Sequence, residues 1–194
     1  MASFFTNHDN PRAAGFLKRD PNLIKTAWGM SLMHPGDAFL YYGEELGMSG
    51  SGKDENKRAP MYWTDEKNSE GMTKGPPGME SMSHSFPPAI DQVNDPNSIF
   101  TYIRKAILLR VKYPEIARGD ISLSEIELKG DNIGAVERKL EDSTITVVYN
   151  ASEEDALVST SKQLLDFISA TGKEPNQSNN EIIVPGYTIL ILEG

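Results

Sequence analysis

The 194 residues allow one large or two small domains, and a 38% hydrophobic content with 8% aromatic residues is enough for a core. Asp and Glu number 28 against 19 Lys and Arg, a formal net charge of −9, which argues against duplex nucleic acid or anionic membrane as the main partner because both reward clustered cations. Without cysteine there is neither a disulfide framework nor a thiolate metal site, secreted and cytosolic compartments stay equally open, and no apolar run approaches the roughly 20 residues that span a bilayer.

The chain enters a strand-like run at once, at Met1-Ala2-Ser3-Phe4-Phe5, with no charged leader; so abrupt a start is expected of a chain cut from a longer protein. That apolar run delivers a polar cluster, Thr6-Asn7-His8-Asp9-Asn10-Pro11-Arg12, at its carboxyl end, where α/β enzymes place their chemistry. Asp20-Pro21 reads as an N-cap followed by proline at the first helical position. Leu23, Ile24, Ala27, Trp28 and Met30 then recur at helical spacing until His34-Pro35-Gly36. Ala38-Phe39-Leu40-Tyr41-Tyr42 is a second continuous apolar run, ending in Gly43-Glu44-Glu45, so the first 42 residues predict a parallel βαβ unit. One such unit cannot cover both faces of its strands, and the rest of its sheet is expected from residues outside this chain.

From Met48 to about Asp95 the composition is that of a long functional or disordered loop. Asp95-Pro96 repeats the cap signal, and Ile99, Tyr102, Ile103, Ala106 and Ile107 predict a helix ending before Pro114. From Ile121 onward the pattern is β, with strands expected around 121–123, 126–128, 135–138, 144–149, 181–184 and 187–192. Gly130-Asp131-Asn132 and Glu141-Asp142-Ser143 supply turn chemistry between them. The expected fold is therefore α/β followed by all-β, the second part a small antiparallel β-sandwich.

Read from spacing alone, Asp9-Asn10-Pro11 is a turn in which Asx side chains bond backbone and His8 caps a strand end. The competing reading makes Asp9 and His8 a sugar-binding pair at a sheet rim, where a carboxylate balances positive charge developing at a reacting carbon. Trp63, Tyr62, Tyr41 and Tyr42 are candidate stacking platforms; a strand tyrosine such as Tyr41 is more at home in a core, which leaves loop residue Trp63 as the better candidate. His84 has no evident partner and reads as a loop residue, and His34 as a helix-end residue. Asp54, Glu55, Asp65 and Glu66 fit no EF-hand spacing and alternate with Lys53, Lys57 and Arg58, so no metal and no cofactor is expected.

Phe5-Thr6-Asn7-His8-Asp9-Asn10-Pro11-Arg12 closely resembles the region around the seventh barrel strand of the α-amylase superfamily, glycoside hydrolase family 13. Pro35-Gly36 with Phe39-Leu40-Tyr41-Tyr42-Gly43-Glu44-Glu45-Leu46-Gly47-Met48 is similar to the eighth strand, and Arg58-Ala59-Pro60-Met61-Tyr62-Trp63 to the loop after it. Ala106-Ile107-Leu108-Leu109-Arg110 and Tyr113-Pro114-Glu115-Ile116-Ala117-Arg118-Gly119 resemble the last barrel helix and the bridge to a C-terminal β domain.

This resemblance implies that residues 1–119 are the C-terminal part of a (β/α)8 barrel and residues 120–194 an antiparallel β-sandwich domain. It implies that Asp9 is the carboxylate that stabilises the transition state, with His8, Arg12 and Trp63 binding an α-glucan or maltooligosaccharide. No segment resembles the motifs that carry the nucleophile and general acid, so the chain alone is expected to be inactive and to need the missing N-terminal barrel portion as partner. A substitute dyad of Asp9 with Glu44 or Glu45 is disfavoured, and Glu45 is expected instead to anchor its loop by accepting backbone hydrogen bonds. The alternative to a glycosidase is a non-catalytic carbohydrate-binding or interaction module in which the β domain does the work. Helix faces bared by an incomplete barrel are expected to drive self-association.

Overall fold

A computed structural model describes residues 2–66 and 69–194. Strand β1 (Ala2–Phe4) pairs in parallel with β2 (Asp37–Phe39), Ala2 opposite Asp37 and Phe4 opposite Phe39. Between them run a single turn, α1 (Ala13–Phe16), and α2 (Pro21–Leu32). The predicted cap of α2 is present: the Asp20 carboxylate accepts the N–H groups of Asn22 and Leu23 at 2.8 and 3.1 Å. The buried stripe of α2 is Ile24, Trp28 and Leu32.

Both strands are shorter than their apolar runs, and Phe4 and Phe39 stand 56% and 57% exposed rather than buried. A parallel pair with no further neighbour among the described residues has nothing to cover its outer faces, so the apolar runs extend past the hydrogen-bonded segment.

After β2 a 3-10 turn (Glu44–Leu46) opens the long excursion, whose described residues include the short helices α3 (Asp54–Lys57) and α4 (Ala89–Gln92). It packs on itself around Leu46, Met48, Ala59 and Ala89, with Met61, Tyr62, Met79 and Met82 against them. Residues 67 and 68 lie outside the described residues. Helix α5 (Ile99–Lys112) starts three residues later than its Asp95-Pro96 signal suggested. Ser98 is the cap, its hydroxyl accepting the Thr101 N–H at 3.0 Å, while Asp95 closes a turn onto the Asn97 N–H. The Gln92 side chain fixes this choice by accepting the Phe100 N–H and donating to the carbonyls of Leu46 and Pro87, so two of the first-turn donors of α5 are satisfied only with the helix in this register.

Helix α6 (Pro114–Arg118) leads into nine strands, all paired antiparallel: β3 (Asp120–Leu123), β4 (Glu127–Lys129), β5 (Ile133–Leu140), β6 (Ser143–Asn150), β7 (Ala156–Ser159), β8 (Leu164–Ser169), β9 (Asn176–Ser178), β10 (Glu181–Val184) and β11 (Thr188–Glu193). They form a five-stranded sheet in the order β3-β5-β6-β11-β8 and a four-stranded sheet in the order β4-β7-β10-β9. β7, β8 and β9 were not anticipated from the sequence.

The two faces of the five-stranded sheet do different work. Ala135, Val148, Leu190 and Leu192 meet Val158, Ile182 and Val184 of the smaller sheet. Ile145, Val147, Ile189 and Ile191 share a core with Ile24 and Trp28 of α2 and Ile103 and Ala106 of α5. β11 is apolar without alternation because its odd and even residues are buried against different layers. Arg138 of β5, fully buried, donates to the carbonyls of Ile116 and Gly119 at 2.7 and 2.8 Å and so fastens the end of α6 to the sheet. No helix among the described residues is long and apolar enough to cross a membrane.

Candidate functional site

The site grows from the loop that follows β1. The Phe5 ring sets its start by packing edge-on against Trp28 of α2, centroids 5.3 Å apart. The Asn7 side-chain oxygen then accepts the N–H groups of Asp9 and Asn10, both at 2.8 Å, which curls the backbone into an Asx turn. That turn faces His8 and Asp9 outward, their side chains 61% and 62% exposed.

Two cations from the far loop converge on this turn. Arg58 places Nη2 at 3.1 Å from Asp9 Oδ1, and Lys57 donates from Nζ to the Asp9 carbonyl at 2.8 Å. Lys57 also pairs with Asp54 at 3.0 Å. His8 Nε2 lies 3.4 Å from the other Asp9 oxygen. The carboxylate is thereby oriented from both sides while staying open to solvent. Lys57 and Arg58 were read in the sequence as members of a solvated charged loop; no periodicity links them to Asp9, and their separation of about fifty residues hides the contact.

Arg12 lies one layer behind. None of its side chain reaches solvent. Its Nη1 donates to the Tyr42 carbonyl at 2.6 Å and sits 3.4 Å from Glu44 Oε1, and the guanidinium lies over the Tyr41 and Tyr42 rings, 4.7 and 5.0 Å from their centroids. Glu44 Oε2 accepts the Ala13 N–H at 3.2 Å, and the Arg12 N–H donates to Gly50 at 2.9 Å. The loops after β1 and β2 and the start of the long excursion are thus stitched together at one buried ion pair. Gly43 permits this closeness: its φ is 84°, and a Cβ there would meet the Met48 sulfur at 2.5 Å and Arg12 Nη1 at 3.2 Å.

Glu45 anchors its loop as expected, its carboxyl accepting backbone N–H groups of Gly43 and of its own residue, and Glu44 is a second anchor whose carboxylate bonds the Ala13 N–H and pairs with Arg12. Burial pushes the Glu44 carboxyl up to about 7, outweighing the opposing pull of Arg12 and the Ala13 N–H. Burial also raises Glu45. With both oxygens engaged behind the rim, Glu44 is turned away from any pairing with Asp9.

Trp63 is 52% exposed on the loop beyond Arg58. Its carbonyl accepts the Ile90 N–H at 3.1 Å, which fixes the loop to α4. Next to it Tyr62 stacks face to face on His84, centroids 3.6 Å apart and planes 7° from parallel, and its hydroxyl donates to Asp65. His84 therefore has a partner that the sequence did not reveal, and its partial burial there lowers its pKa. His34 keeps its place just beyond α2, where Arg110 bonds its carbonyl. Among the described residues no cluster of His, Asp and Glu could hold a metal ion.

A model of the α-amylase catalytic domain matches residues 1–119. Alpha-amylase 3 of Dictyoglomus thermophilum is 29% identical over 192 residues, covering 99% of this chain and 38% of that protein. The oligo-1,6-glucosidase of Halalkalibacterium halodurans is 28% identical over 190 residues, covering 76% of this chain and 33% of its own length. Among solved structures, Amy13B of Eubacterium rectale superposes with a TM-score of 0.93 at 33% identity, covering 99% of this chain and 38% of that one. The α-amylase from H. orenii superposes with a TM-score of 0.80 at 28% identity, covering 99% and 39%. The chain spans little more than a third of the length of these relatives. With the α-amylase catalytic-domain model matching residues 1–119, more than half of the chain, the chain belongs to the α-amylase family, glycoside hydrolase family 13.

Proposed function

We propose that this chain is the closing part of a retaining glycoside hydrolase that cleaves α-glucosidic bonds in starch-derived oligosaccharides. Residues 1–119 supply the last two strands and helices of a (β/α)8 barrel, and residues 120–194 form an antiparallel β-sandwich that covers α2 and α5. In that setting β1 and β2 are neighbouring staves, and the loops at their carboxyl ends form part of the substrate-facing rim.

The observation that carries this reading is the Asp9 carboxylate, held open at the rim by Arg58 on one oxygen and His8 on the other. An anion already oriented where an oxocarbenium-like charge develops stabilises the transition state without reorganising, and its effect grows as water is excluded. His8 bonds the same glucosyl ring, and Trp63 offers an aromatic face to a sugar. Arg12, buried, serves the site by holding the two rim loops together.

Retaining hydrolysis needs a nucleophile and an acid about 5–5.5 Å apart on the scissile bond. Glu44 and Glu45 are poor substitutes, the first being locked to Arg12 and Ala13. The chain by itself is therefore inactive, and its working partner is the remaining portion of the barrel. Incubated with a chromogenic α-glucoside, the chain should release no product. Extended by, or mixed with, the barrel portion that its longer relatives carry, it should hydrolyse with retention. Asp9→Asn should then lower kcat by about 10²–10³. Turnover by the chain alone would refute the missing-dyad reading.

A carbohydrate-binding role for the β region finds less support. Its exposed large apolar side chains are Ile121, Leu123, Leu165 and Ile183, with no aromatic platform among them. Its large sheet instead buries one face on α2 and α5, the arrangement expected of a cap on the barrel.

A further inference from the structure

Lys25 of α2 is only 7% exposed. A lysine is almost never buried so far without a carboxylate partner, because its ammonium gives up hydration on leaving water. Among the described residues no carboxylate pairs with it. Its Nζ donates to the carbonyls of Asn97 and Ala170 at 2.6 and 3.2 Å, which uses two of its three protons. Burial lowers its pKa, and the negative charge of Asp95 opposes that only in part.

Both acceptors line a cavity of about 180 Å3 between α2, the first turns of α5, and β8 with the turn after it, so the ammonium stands at the cavity wall. Lys105 is a second cation on the same lining, its Nζ 4.8 Å from the centroid of the Phe167 ring. Thr101 and Tyr102 line it too, and the hydroxyls of both are buried without a hydrogen-bond partner. Tyr102 as a whole is 5% exposed. The cavity lies at the N-terminal end of α5, a helix of 14 residues whose dipole favours negative charge there. Two acids stand nearby. Glu174 is an exposed member of the lining, and the Asp95 carboxylate is occupied by the Asn97 N–H at 2.8 Å.

Size and charge together select the occupant. The volume falls below the roughly 300–1,000 Å3 of pockets that enclose organic ligands, so the space suits an ion or a single small group. Water could meet the unpaired hydrogen-bonding groups but would leave the buried ammonium without a counter-charge. An anion answers both needs, and one with several oxygens can accept from donors on α2 and α5 at once. We propose that this cavity binds a small tetrahedral oxyanion, a phosphate or the phosphoryl group of an ester, held by Lys25 and Lys105 with the Thr101 hydroxyl as a neutral donor. Bound there, it joins α2 and α5 to the β layers and stabilises the folded chain by mass action. The inference is independent of the α-glucan reading and of the role of Asp9.

Thermal melting of the 194-residue chain in inorganic phosphate, with sodium chloride holding the ionic strength constant, should show a saturable rise of about 3 °C or more. Calorimetric titration with phosphate should show binding that weakens by about tenfold or more in Lys105→Gln and in Thr101→Val. The second variant replaces an unpartnered hydroxyl with a methyl group of the same shape, so it should fold as well as the wild type, and a merely structural Thr101 would leave the response to phosphate unchanged. Lys25→Met should abolish binding, with circular dichroism reporting whether the fold persists. Glucose 1-phosphate distinguishes the sources of the group: tighter binding than inorganic phosphate upholds the site with an ester as occupant, and weaker binding upholds it with the free ion. A rise no larger than chloride gives at the same ionic strength overturns the proposal. So does phosphate binding that is undiminished in both Lys105→Gln and Thr101→Val, since the ion would then sit elsewhere.

Discussion

Arg12 and Glu44 are sealed from water together, and a guanidinium cannot shed its charge to lower that cost. The two partners are therefore unequal. Arg12→Ala removes the donor to Tyr42, the cation over two tyrosine rings and the positive partner of Glu44, and should cost about 3–5 kcal/mol in urea unfolding. Glu44→Gln should cost far less at about pH 5, where Glu44 holds a proton in the folded chain and glutamine resembles it. The pH dependence has a definite sign. Folding raises this carboxyl from 4.5 to about 7, so across that window the folded chain keeps a proton that the unfolded chain has released. Its contribution is complete below about 4.5 and lost as pH rises through about 7, a change on the order of 3 kcal/mol. Unfolding midpoints of the wild-type chain should fall from about pH 5 to about pH 8 relative to those of Glu44→Gln, and parallel profiles would sink this account.

Arg110 decides how α2 ends. Its guanidinium donates to the carbonyls of Leu32 and His34 at 2.6 and 2.7 Å and also to Gly36, reaching across from α5 to acceptors that α2 leaves unpaired. Arg110→Ala should lower stability by about 2 kcal/mol, measured by thermal melting, and Arg110→Lys should recover only part of it because an ammonium cannot reproduce the fork. This contact joins residues about 75 apart and leaves no trace in local pattern, which marks the boundary of what the sequence disclosed. Helix α2 was legible because Asp20, Pro21 and a buried stripe all act within a few residues. β11 was legible because burial on both faces makes a continuous apolar run. β9 is a short polar edge, β7 spans only four residues between β4 and β10, and β8 carries Asp166 in its middle, so none shows a run long enough to mark it in the sequence. At the site, the sequence offered an Asx turn at Asp9-Asn10-Pro11 and the accepting side chain is Asn7, two residues earlier, whereas the Asp9–Arg58 pair and the Tyr62–His84 stack arise from irregular loops folding back on each other. The resemblance implies that Arg12 binds substrate, whereas its side chain is fully buried, with Tyr41, Tyr42 and Glu44 closing over it.

At the scale of the molecule, apolar surface is distributed unevenly. Helix α5 buries Ile99, Tyr102, Ile103, Ala106 and Leu109, yet Ile107, Leu108 and Val111 form a second stripe that faces solvent. On the other side of the parallel pair, Phe4, Phe5, Met30 and Ile121 line an open groove. The two surfaces flank β1 and β2, whose outer edges have no partner among the described residues. Such patches are where a soluble chain associates, and in the proposed parent they are the seams on which neighbouring barrel elements close. In isolation the chain should self-associate, with a sedimentation coefficient that rises with concentration. Leu108→Glu combined with Val111→Lys should shift that equilibrium toward monomer without lowering the melting temperature, because neither side chain belongs to the buried face of α5. The barrel portion of a longer relative should compete with self-association for the same surfaces, and a clean monomer across a wide concentration range would show that these stripes are tolerated rather than sticky.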